Sequence, residues 1–209
     1  MKMLAVAAIG LGAPTVASCT VGKGEGSVHG SLQVTGCAGK DLSSYDMGAD
    51  FFGGLATDNQ LVIRIQQGGG IQEYADSLTI GIQDTNEVEQ NLGVPLPVAL
   101  ERPPGSAPNV RPPLIQATLS LRATCGARKL APGDDPAVVL HAVRGTVTFS
   151  YILHGDVQSR DTNSKRIEGV FDLDVEDPRG WGTAGVSTGH ISGFFKFFYQ
   201  RGGPAQPFP

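Results

Sequence analysis

The sequence predicts an all-β protein: an antiparallel β-sandwich with little helix and one long proline-rich loop, or alternatively a closed β-barrel. Three observations predict it. Apolar and polar residues alternate at period two in segment after segment, as strands with one buried face require. Charged residues are only 17% of the 209, while glycine (29) and proline (14) are abundant, so turn formers are many and solvated helix faces few. One pattern, apolar-x-Gly-x-apolar-x-apolar, occurs four times, and its last three copies are spaced 24 residues apart (143, 167, 191), as strand–loop–strand units of an antiparallel meander would be.

Taken in chain order, the first copy is Val28-x-Gly30-x-Leu32-x-Val34. Three further strands are expected at Leu61–Gln66, Leu78–Gln83 and Leu114–Thr124, with one helical turn over Gly70–Asp76. Segment 84–113 carries Pro95, Pro97, Pro103, Pro104, Pro108, Pro112 and Pro113 and is expected to be an irregular, partly extended loop. The remaining copies begin at Val143, Ile167 and Ile191, with Gly145, Gly169 and Gly193 in the invariant position of the pattern. A strand glycine marks a bulge, a bend or close packing of a neighbour across it. Residues 27–200 thus form a single β domain of seven or eight strands, followed by a proline-rich tail over 201–209. A tail of that kind after the last strand argues against a membrane-spanning barrel, whose last strand must close on the first.

The start of the chain has its own logic. Met1-Lys2-Met3 is a short basic opening, Leu4 to Gly12 an apolar run too short to span a bilayer as a helix, and small residues follow. Val16-Ala17-Ser18-Cys19 resembles the lipobox of bacterial lipoproteins, an aliphatic residue and two small residues before the cysteine that is acylated. The resemblance implies a signal peptide over 1–18, lipidation of Cys19 and a Gly-rich tether over 19–26. It also implies membrane association through the N-terminal lipid. Thr20 in place of Asp after the cysteine resembles outer-membrane sorting, which places the protein lipid-anchored at the bacterial outer membrane. Cleavage near Ala17 without a lipid, or a buried N-terminal strand, are the alternatives. Cysteine arithmetic agrees with a lipid: three cysteines leave one unexplained in an oxidising compartment, and if Cys19 is acylated then Cys37 and Cys125 remain to form a disulfide. Two separate buried thiols are the alternative.

The segments Asp50-Phe51-Phe52, Leu61–Gln67 and Gly169–Arg179 are also similar to parts of bacterial lipoproteins, a similarity that implies no activity and no site residues.

Candidate chemistry is sparse. A net charge of -4 and a pI near 5.5 give no basic face for nucleic acid. Gly185-Val186-Ser187-Thr188-Gly189 matches G-x-S-x-G, but a strand rather than a helix follows it and no acid lies downstream, so a nucleophile elbow is not expected. Asp172, Asp174 and Glu176 alternate along one strand, about 7 Å apart, and are a weak metal candidate if Asp156, Asp161 or Asn163 supplied further oxygens. The default for them is a solvated outer face. His29, His141, His154 and His190 are scattered with no metal-ligand spacing. No cofactor and no catalytic residue are expected.

The most distinctive segment is Phe194-Phe195-Lys196-Phe197-Phe198-Tyr199. Phe195, Phe197 and Tyr199 continue the inward row, whereas Phe194 and Phe198 point the other way and flank Lys196. Either this strand is covered on both faces, which is the commoner arrangement, or the two phenylalanines form an exposed patch for an envelope protein, a glycan or lipid. The tail 201–209 is a candidate cover. The function expected is therefore a non-enzymatic binding, adhesion or structural module. A small-ligand carrier with a barrel interior is the alternative, and a hydrolase a more distant one.

Overall fold

The computed structural model describes residues 24–35, 37, 40–67, 75–99, 112–125, 138–153, 165–180 and 186–199. Ten strands form one antiparallel sheet: β1 (Gly24–Gln33), β2 (Tyr45–Asp46), β3 (Phe51–Thr57), β4 (Gln60–Gln66), β5 (Asp76–Ile82), β6 (Leu96–Pro97), β7 (Ile115–Leu121), β8 (Val139–Tyr151), β9 (Arg166–Glu176) and β10 (Thr188–Phe198). Their order is β2-β1-β10-β9-β8-β7-β5-β4-β3, with β6 paired to β8. The all-β antiparallel architecture is the predicted one. The distinction between sandwich and barrel resolves into a single sheet that curls on itself. At its far edge, β3 folds back so that Phe52 lies over Gly24 and Gly26 of β1, with its ring 6.4 Å from that of Phe197 on β10.

The inward rows make the core. Val28, Ile63, Ile80, Leu119, Phe149, Ile167 and Phe195 are wholly buried, one from each long strand except β3, which contributes Phe52. All four glycine-containing copies turn out to be neighbours. β8, β9 and β10 form the expected meander, and β1, distant in sequence, pairs with β10 along its whole length, from Gly24↔Phe197 to Gln33↔Thr188. Antiparallel pairing sets each glycine against a larger residue. Gly169 stands between Phe149 and Phe195, and the two rings close over it, edge to face at 5.9 Å. A Cβ at Gly169 would come within 2.8 Å of the Thr148 carbonyl and 2.9 Å of the Phe195 ring. Gly145 has φ of 122°, which an L side chain rarely adopts, and it follows a register shift between Ala142 and Arg144. That shift makes Val143 the bulged residue, so Ala142 takes the inward position that the pattern assigned to Val143.

Several local expectations are refined. β3, with its Gly53-Gly54 pair, was not among the strand candidates and completes the eight long strands. β1 starts at Gly24, so the last three residues of the expected tether are strand. Within the proline-rich 84–113 segment, the described residues 84–99 hold a helix and a short strand, while 112–113 have no regular structure. Asp84 caps α1 (Thr85–Glu89) by accepting from the N–H groups of Asn86 and Glu87. β6 then fills the gap where β7 and β8 part, Leu96 opposite Val147 and Val98 bridging Ile115. The expected helical turn at 70–76 falls outside the described residues except for Ala75 and Asp76, and Asp76 opens β5.

The strand expected to run to Thr124 ends at Leu121, because Arg122–Cys125 forms the short helix α2. The cause is Asp76. Its carboxylate, fully buried, accepts from the N–H groups of Ala123 (2.8 Å) and Thr124 (2.9 Å), from the Thr124 hydroxyl and from the Tyr45 hydroxyl (3.2 Å). It thus caps α2 from another strand and ties β2, β5 and α2 together. Burial first, and then the nearby Asp76 charge, push the Tyr45 phenol far above its ordinary titration range, so it remains a donor. Beside this knot Cys37 and Cys125 form the expected disulfide, Cα atoms 4.5 Å apart.

Candidate functional site

The inward rows of the described strands are buried, and the exposed groups considered next lie on the outer face. On β8, β9, β10 and β1 that face is ordered into cross-strand rows by the register. At the end near Gln33, the row is Arg144, Asp174, His190, Ser31. Next come Thr146, Asp172, Ser192 and His29, the last opposite Asp46 of β2. Then come Thr148, Val170, Phe194 and Ser27. Tyr151, Glu168, Lys196 and Glu25 follow, and finally Arg166 and Phe198.

The rows change character along the strands. The end with Arg144 is ionic. Asp174 accepts from Arg144 Nε at 2.8 Å and from His190 Nδ1 at 3.0 Å, while His190 Nε2 lies 3.6 Å from Asp172. The His190 and Arg144 hydrogen bonds hold the Asp174 carboxyl below its ordinary value. His29 is 3.5 Å from Asp46. Just past β9, Arg179 grips Asp177 through two nitrogens and likewise keeps that carboxyl low.

The opposite end is apolar and aromatic. Phe198, Val170, Tyr151 and Phe194 are 57%, 53%, 50% and 42% exposed, so among the described residues nothing covers this part of the outer face. Val170 and Phe194 are direct cross-strand partners, and Phe194 and Phe198 flank Lys196 as the alternation requires. The charges here are paired: Lys196 Nζ reaches Glu25 at 3.2 Å, and Arg166 contacts Glu168 while its guanidinium lies 4.6 Å from the centre of the Tyr151 ring. The pairing lowers the electrostatic cost of an apolar neighbour, because these four charges would not be desolvated singly.

The expected residues are distributed as follows. Phe194, Lys196 and Phe198 come together in this patch, and Tyr151 and Val170, which sequence reasoning did not include, complete it. Their alternation phase was visible, but their neighbours depend on the register of three strands. The weak metal candidate is not assembled: Asp172, Asp174 and Glu176 sit in separate rows opposite Thr146, Arg144 and His141, and among the described residues no three His, Cys, Asp or Glu side chains converge on a metal position. Asp156, Asp161, Asn163 and His154 lie outside the described residues, as do Cys19 and the tail 201–209. His190 does meet two carboxylates, a convergence that required the β9–β10 register. Ser187, the serine of the G-x-S-x-G match, is 2% exposed; its hydroxyl accepts from the Thr35 N–H at 3.0 Å and lies 3.0 Å from the Thr35 hydroxyl. It fastens the start of β10 to the end of β1 and is not presented as a nucleophile.

No protein-family model, curated protein or solved structure matches the chain. Among the described residues no helix is long and apolar enough to cross a membrane.

Proposed function

We propose that the protein is an exported bacterial lipoprotein, anchored at the outer membrane through acylated Cys19, whose β domain is a non-enzymatic binding or structural module working through the outer face of β8–β10. The observation that carries the binding role is the pair Phe194 and Phe198, about half exposed beside Tyr151 and Val170 on a sheet face that is otherwise polar. Aromatic groups left in water on a rigid sheet are held there at a hydrophobic cost that a partner relieves.

Surface rather than interior binding is supported by the packing of the core, where Phe149 and Phe195 meet over Gly169 and Phe52 and Phe197 meet across the curl. Against an enzyme stands the setting of the His190–Asp174 pair. It lies on an open face, with side chains 51% and 35% exposed, and Asp174 is shared with Arg144. Water is not kept from such a pair, and one carboxylate oxygen is already committed.

The test is intact mass and membrane fractionation of the wild-type protein beside Cys19→Ala. A lipid-sized mass increment on a chain beginning at Cys19, lost together with membrane association in the variant, is the expected result. A soluble, unmodified wild-type chain overturns the anchor.

A further inference from the structure

From the position of the chain's start relative to the aromatic patch, we infer that the patch is a membrane-docking surface: Tyr151, Val170, Phe194 and Phe198 rest on the lipid headgroup region of the bilayer that holds Cys19. The inference takes the acylated Cys19 of the preceding section as its starting point.

Three observations carry it. The first is chain length. β1 begins at Gly24, which pairs with Phe197, so the N-terminus enters the sheet at the end where Phe198, Arg166 and Tyr151 lie. Only four residues separate Cys19 from Gly24, so five peptide steps bound their separation at about 18 Å whatever path the chain takes. The patch is comparably small, since Phe194 and Phe198 are four strand residues apart, about 13 Å. A lipid on Cys19 therefore holds this end of the sheet within about 18 Å of the bilayer.

The second is charge along the strands. The end away from Gly24 carries Asp46, Asp172, Asp174, Glu176 and Asp177 against Arg144 and Arg179, a net acidic excess among the described residues that an anionic membrane surface repels. The end beside Gly24 has Lys165, Arg166 and Lys196 against Glu25 and Glu168, a slight cationic excess among the described residues. The third is side-chain type. Tyrosine and phenylalanine beside arginine and lysine suit the headgroup boundary, where rings lie among the acyl-chain ends while the long cationic side chains reach back to phosphate.

Because the local charges are largely paired, docking is expected to be driven mainly by the apolar groups and to weaken only slightly with salt. Burial of two half-exposed phenylalanines corresponds to a change of about tenfold or more in membrane partitioning when both are removed.

The experiment uses the full processed protein reconstituted in phosphatidylethanolamine–phosphatidylglycerol vesicles. An environment-sensitive dye is placed on Thr148→Cys, beside Val170, or on Ser31→Cys, at the far end of β1. Intact mass reports the lipid independently. With the lipid present, the inference expects a blue-shifted dye quenched by bromolipid at 148 and a water-exposed dye at 31. Adding Phe194→Ser and Phe198→Ser should return the 148 dye to water while the lipid mass is unchanged. Equal exposure of both dyes on lipidated protein overturns the docking surface. So does a 148 dye already shielded before vesicles are added, because a second copy, another protein or the chain's own tail would then be the occupant. If the mass shows no lipid, the anchor fails separately. The patch inference then stands only if unlipidated protein floats with the vesicles and the double serine variant lowers flotation about tenfold or more; without that loss it falls too.

Discussion

Gly169 and Gly81 are both strand glycines, and replacing each by alanine should have opposite consequences. Alanine in a strand is intrinsically better than glycine by about 0.5–1 kcal/mol, because the unfolded chain loses freedom. At Gly81 an added Cβ would meet nothing within 4 Å, so Gly81→Ala should realise that gain. At Gly169 the same methyl would fall 2.8 Å from the Thr148 carbonyl oxygen and 2.9 Å from the Phe195 ring. The carbonyl belongs to the β8 backbone and cannot rotate away, and Phe195 is itself wedged against Phe149. Overpacking of this kind costs about 1–3 kcal/mol, so the net loss at Gly169 should centre on about 1 kcal/mol and reach at most about 2.5 kcal/mol after the intrinsic gain is deducted. In a domain of this size a loss of about 1 kcal/mol lowers the melting midpoint by about 2–4 °C, while Gly81→Ala raises it by about 1–3 °C. Urea titration monitored by circular dichroism, cross-checked by thermal melting, reads both. A Gly169→Ala protein stabilised as much as Gly81→Ala would refute the close packing of Thr148 and Phe195 over the glycine.

Other expectations follow from the same structure. Asp76→Ala removes the cap of α2 and leaves the buried Tyr45 hydroxyl without its acceptor, for a loss of about 3 kcal/mol, whereas Tyr45→Phe should cost only about 1 kcal/mol; a larger loss for the tyrosine variant would contradict the capping role. Reducing Cys37–Cys125 opens a loop with a sequence separation of 88, which by chain entropy corresponds to about 4–5 kcal/mol, so the denaturation midpoint should fall sharply in dithiothreitol and equally in Cys37→Ser/Cys125→Ser. The depressed Asp174 carboxyl stabilises the fold when ionised, above the unfolded carboxylate's titration range, and that contribution disappears as pH falls through the folded value. His190→Gln should move the Asp174 titration upward in carbon-detected NMR, and an unmoved titration would discount the hydrogen bond as its cause.

What the sequence determined by itself was everything that rests on local periodicity and on single residues. Period-two alternation gave an all-β protein, and the phase of that alternation predicted which way Phe194, Phe195, Phe197 and Phe198 point. The odd cysteine count pointed to the Cys37–Cys125 bridge, because an acylated Cys19 would leave those two, without metal-ligand spacing, to pair. Gly53-Gly54 interrupts the apolar rhythm and hides the strand at Phe51–Thr57, and local alternation extends β7 into α2 because the cap of that helix, Asp76, lies 47 residues before Ala123.

Only the tertiary structure decided register and curl. Pairing of β1 with β10 depends on contacts between the two ends of the chain, which no local pattern encodes, and it is that pairing which makes neighbours of the four glycine motifs. The same register sets His190 between Asp172 and Asp174, separates the carboxylates of the supposed metal site into different rows, and gathers Tyr151 and Val170 beside the phenylalanines. A strand's faces are fixed by its own residues; its neighbours are chosen by the free energy of the whole sheet.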